Sequence, residues 1–180
     1  MTELKIAIDT RQLKRALVKF GEKAPAAIMR AIYRTARTAR TQAVRAVAKE
    51  IRLPQKDVRL MLPVIPATPR FLEAKLLARG RPISLMRLGA RQTKQGVVYR
   101  GPGGPILIRS AFIATMPRAK RPSVWKRGGK PRLPIIKQVG PSVPRLVLEK
   151  GIFEAVRATA QETLAKNLAH EIDYLLSRKS

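Results

Sequence analysis

The chain has 180 residues, 45% of them hydrophobic and only 4% aromatic, with a formal net charge of +27. That is ample for one folded domain and too apolar for a disordered basic tail, so the core must come from Ala, Leu, Ile and Val. The absence of cysteine excludes disulfides and Cys-based metal sites. No apolar run is long enough to cross a bilayer, and the first residues lack the apolar stretch of a signal peptide; the expectation is a protein made in the cytoplasm, with no membrane partner.

In chain order, Leu4, Ile6 and Ile8 alternate with Lys5 and Ala7, the pattern of a short half-buried strand. Asp9 or Thr10 can then cap a helix over 11–20, closed by Gly21. A long helix is expected over 25–51, with Pro25 in its first turn. Ile28, Ile32, Thr35, Ala39, Ala43 and Ala46 fall on one side of it, and Arg30, Arg34, Arg37, Thr41, Arg45 and Arg52 on the other. Pro54 opens a short helical turn through Leu60.

Beyond Met61 the composition changes. Thirteen of the 14 prolines lie between Pro54 and Pro144, and proline is excluded from helix interiors and central strands, so this region reads as loops and short strands. Strands are expected over 70–79, 83–88, 97–100 and 106–115. Two more, over 124–127 and 133–137, flank Gly128-Gly129-Lys130-Pro131 as a hairpin with a basic tip. From about Val143 the chain turns helical again. Leu148, Ile152, Val156, Ala160, Leu164, Leu168, Ile172 and Leu175 form an apolar stripe, with Glu154, Arg157, Glu162, Lys166, Glu171 and Asp173 on the remaining faces. The expected class is α+β: a small antiparallel sheet packed against a long N-terminal helix and a C-terminal amphipathic helix, with extended Pro/Gly-rich loops. A single domain spans 1–180. Strand and helices occupy 1–61, a basic β-rich region with long loops 62–140, and the C-terminal helix 141–180.

The charge is unevenly placed. Residues 74–148 hold 17 Lys and Arg and no acid, whereas the last 32 residues hold five of each. Such self-repulsion usually serves a polyanion or an acidic protein surface. Candidate partner or DNA contacts are Arg30, Arg34, Arg37 and Arg45 on the long helix, and Arg118, Lys120, Arg121, Trp125, Lys126, Arg127, Lys130 and Arg132 in and around the hairpin. Trp125 reads either as an interface anchor or as a cover for one sheet face, the reading we prefer. No constellation of residues suggests catalysis, a cofactor or a metal. The only histidine, His170, is a lone helix residue, and Gly101–Gly104 is not followed by the Gly-Lys-Ser/Thr of a phosphate loop. The protein is therefore not expected to be an enzyme. Scattered aromatics argue against a base-stacking surface.

Several runs of residues resemble the minor tail protein Z family of tailed phages and prophages. They are Asp9-Thr10-Arg11-Gln12-Leu13, the Arg-Thr-Ala-Arg pattern within 30–45, Leu53-Pro54-Gln55-Lys56-Asp57-Val58, Gly80-Arg81-Pro82-Ile83, Gly89-Ala90-Arg91-Gln92-Thr93, Ala111-Phe112-Ile113-Ala114-Thr115-Met116, Arg132-Leu133-Pro134-Ile135 and Gly140-Pro141-Ser142-Val143-Pro144. The resemblance implies a tail-completion or neck protein that finishes the head-proximal end of the tail in the virion, after synthesis in the host cytoplasm. It implies a homo-oligomer, with a hexameric ring as the natural guess, beside neighbouring tail or neck proteins and around a channel for genomic double-stranded DNA. It carries no active-site residue. Charge alone supports an alternative, a basic nucleic-acid-binding protein of nucleoid or ribosomal type.

Overall fold

A computed structural model describes residues 24–68, 71–117 and 119–177; the strand expected near Leu4–Ile8 and the helix expected over 11–20 lie outside them. Helix α1, Ala24–Ile51, runs unbroken for 28 residues. Its buried side is made of Ile28, Ile32, Thr35, Ala36, Ala39, Ala43, Val44 and Val47, and the small alanines allow close approach of whatever packs there. Arg52 adopts a positive φ of 52°, and Pro54 holds Leu53 away from helical geometry, so the helix stops. Helix α2, Gln55–Met61, restarts at once. Its Asp57 accepts a 2.6 Å ion-paired hydrogen bond from Arg87.

The strand expected over 70–79 is only two residues long. β1, Val64–Ile65, pairs antiparallel with β2, Lys75–Leu76. Pro63 and Pro66 bracket β1 and lack the N–H groups a longer ladder requires. Ala74, Leu76 and Ala78 are buried as the alternation implied, but Leu77 between them is buried too, so the alternation ends where β2 ends. Residues 83–88 are not a strand either. Leu85–Leu88 form a 3-10 turn that buries Leu85 and Leu88, three residues apart. Gly89, at φ 70° and ψ 38°, closes the turn by sending its N–H to the Leu85 and Met86 carbonyls, a left-handed geometry that favours glycine. Ser84 keeps only an isolated bridge to Val139.

Two three-stranded antiparallel sheets follow, so the one expected sheet is three small ones. The first is β3 (Arg91–Thr93), β4 (Gly96–Gly101) and β5 (Gly104–Arg109), in that order. A side chain at Gly96 would meet the Ile108 carbonyl oxygen at 2.1 Å, and its φ is 151°, so only glycine fits. The strand expected over 106–115 is broken at Ser110, whose φ of 59° turns the chain. Its second part becomes β6, Ala111–Ala114, in the sheet β6-β7-β8 with β7 (Ser123–Arg127) and β8 (Ile135–Gln138). The hairpin expected around Gly128-Gly129 is the β7–β8 pair, with Trp125 opposite Lys137. One side chain ties the two sheets together. The Gln92 amide donates to the carbonyls of Thr93, Gly96 and Ala111, and its oxygen accepts from the Ile113 N–H at 2.9 Å.

The C-terminal helix is divided. α3, Val143–Glu149, carries Pro144 in its first turn, and α4, Ile152–Ser177, begins after Gly151 at φ 62°. The break rotates Leu148 out of the predicted stripe to 51% exposure, while Ile152, Val156, Ala160 and Leu164 stay buried. α4 lies antiparallel along α1: Gln42 bonds Thr159, Thr35 bonds Asn167, and Arg30 bonds Glu171. The main core joins α1, α2, α3 and α4 to the inner residues Val97, Ala111 and Val124 of the sheets. A second cluster of Ile28, Ile32, Ala36, Ala67, Ala74 and Leu164 fills the far end of the helix pair.

Candidate functional site

The basic residues divide into two groups. On α1 the stripe of arginines runs along the seam with α4. Arg30 Nε donates to Glu171 Oε2 at 2.8 Å, and Arg34 Nη1 lies 3.0 Å from Glu171 Oε1. Glu171, placed by pattern off the apolar stripe, is only 3% exposed. One buried carboxylate thus holds two half-exposed guanidinium groups, the arrangement that makes burial of a charge tolerable. Further along, Arg37 and Arg45 are exposed. With Thr38, Thr41, Gln42 and Thr159 they line an open groove of about 390 Å³ between the two helices. Arg37 also stands over the Tyr33 ring, 5.8 Å from its centroid. The Thr38 and Thr41 hydroxyls donate back to the Arg34 and Arg37 carbonyls, so the charge facing this groove is that of the two arginines.

The second group surrounds the sheet β6-β7-β8. Lys120 and Arg121 are exposed ahead of β7, Lys126 and Arg127 are exposed on it, and Lys130 and Arg132 are exposed at the hairpin tip; Arg118 lies outside the described residues. Trp125 is half-buried. It stands opposite Phe112 on the neighbouring strand, and its indole N–H donates to the Ala114 carbonyl at 3.0 Å. Among the described residues no ion pair includes any of these cations. The sequence reading missed Glu171, Gln92 and the partners of the tryptophan, Phe112 and Lys137.

Elsewhere on the surface, His170 is exposed. Glu162 has its carboxyl held below the usual range by a hydrogen bond from Lys166, with the Lys166 charge acting in the same direction. No helix among the described residues is long and apolar enough to cross a membrane. Comparison with known proteins finds neither a curated protein nor a solved structure that matches. The family model described as prophage minor tail protein Z matches residues 9–179, nearly the whole chain. The chain belongs to the prophage minor tail protein Z family, and so to the structural proteins of the phage tail.

Proposed function

We propose that the protein completes the head-proximal end of a phage tail, as a homo-oligomeric ring around the DNA channel at the neck. The observation that carries this reading is family membership across residues 9–179, taken with the two-sided build of the molecule. A helix pair closed by its own ion pairs supplies a rigid body. The sheets extend a basic surface with exposed Leu133, Ile136 and Val139, the mixture that subunit and partner contacts require. A ring follows if one heterologous contact repeats with a rotation that closes, and a six-fold tail tube favours a hexamer. The cations of the α1 groove are suited to sequence-independent attraction of duplex phosphates, which weakens steeply with salt.

The test is assembly without this chain. Cells that make every other head and tail component should accumulate heads and tails that do not join, and the purified protein should restore joining in the extract. Joined, infectious particles in its absence would overturn the proposal. Light scattering on the restored fraction and on the free protein gives the ring order directly, with six copies expected.

A further inference from the structure

We infer that the outer face of the sheet β6-β7-β8 is a docking surface for another virion protein, one that presents carboxylates around an apolar centre. This rests on the proposed tail role and names the chemistry of the partner. The register defines the face. Phe112, Trp125 and Lys137 stand in one cross-strand row, and Arg127 pairs with Ile135 in the next. Side chains alternate along each strand, so these residues point away from Ile113 and Val124, which belong to the core side. Val139, two residues beyond Lys137, is 48% exposed. The face therefore presents aromatic and aliphatic surface in its middle and Arg127 and Lys137 beside it. The indole N–H is already satisfied by the Ala114 carbonyl, so Trp125 offers a partner its ring rather than a donor.

Charge and polarity select the occupant. Duplex DNA would engage the cations but has no surface to cover Phe112, Trp125 and Ile135; stacking on those rings needs unpaired bases. A second copy of this chain is also a poor match. Among its described acids, Asp57, Glu73, Glu149, Glu162 and Glu171 are already ion-paired to its own cations, and Glu50, Glu154 and Asp173 are spread over α1 and α4. With no carboxylate anywhere in residues 74–148 and the other described acids paired or dispersed, a different protein is the better source of the counter-charge for this face. Aromatic and Arg side chains beside one another are the residues that dominate binding energy at protein interfaces.

The probe is tails assembled in cells that lack this chain, mixed with purified full-length protein and sedimented. Three proteins are compared: wild type, Arg127→Glu with Lys137→Glu on the face, and Lys130→Glu with Arg132→Glu at the hairpin tip, which has the same net charge. All four residues are exposed and free of ion pairs among the described residues, so circular dichroism should report the same fold in each. The expected result is that the face variant loses affinity for tails by roughly tenfold or more and the tip variant by much less, while both lose the same small amount of affinity for a duplex oligonucleotide. Equal loss in the two variants, or none in the face variant, overturns the docking surface and leaves the tail role standing. Failure of the wild type to sediment with tails overturns the tail role itself, and the docking surface with it.

Discussion

Between α1 and α4, charge is matched inside the chain. Arg30 and Arg34 share Glu171, and polar pairs Thr35–Asn167 and Gln42–Thr159 align the remaining turns. Across the sheets of residues 91–138 no carboxylate is available, and Arg127, Lys130, Arg132 and Lys137 face solvent. The first region uses its ionic groups to fix one helix against another; the second leaves its cations without an ion pair among the described residues. On the proposed tail role, the +27 charge is matched internally in the part that holds the fold and is available to a partner in the part proposed to assemble.

Damage to the helix seam has the largest expected effect. Ile32 is fully buried in the second core cluster, and Ile32→Ala should lower unfolding stability by about 3–4 kcal/mol, read as a shift of the urea midpoint. Next comes the ion pair, where the two sides are unequal. Arg30→Ala with Arg34→Ala leaves the Glu171 carboxylate buried and unpaired and should cost about 3 kcal/mol. Glu171→Ala leaves two half-exposed guanidinium groups that water can reach, and should cost only about 1–2 kcal/mol. The reverse order in thermal unfolding would show that the carboxylate is hydrated in solution.

Smaller still, Gln92→Ala removes the amide that joins the two sheets and should cost about 1–2 kcal/mol. Because it leaves the helix seam intact, hydrogen exchange should accelerate at Ile113 and not in α1. The smallest effect is at the exposed Glu162–Lys166 pair. Its carboxyl is held low by Lys166, so any stabilisation is present above the ordinary carboxylate pKa and lost as pH falls through the lowered one. Neutral pH lies where that contribution is present, but both side chains are exposed to solvent, so Glu162→Gln should leave the midpoint there unchanged within error.

The helices and the hairpin were legible because their signals are local: Pro25 ahead of an alanine-rich face, and Gly128-Gly129 between apolar runs. The break at Ser110 was not, because a left-handed φ at a non-glycine residue is set by the two sheets it connects. The break before α4 had a signal that the stripe obscured, since Gly151 sits where a helix end wants a glycine. Glu171 also had one. It lies seven residues after Leu164, on the buried stripe, facing two arginines four apart on α1. Placing it off the stripe followed its chemistry rather than its position. The role of Gln92 joins residues of two sheets and has no signature in one dimension. Of the candidate contacts, the structure groups Arg37 with Arg45, and Trp125 with Arg127, while turning Arg30 and Arg34 toward a neighbouring helix.

On this proposal the seam holds the fold and the sheet meets the partner. Hydrogen–deuterium exchange of the full chain, free and bound to tails assembled without it, tests this most directly. New protection is expected in peptides covering 112–139, with exchange in α1 unchanged. New protection confined to α1, with the sheet peptides exchanging as in the free protein, would contradict it.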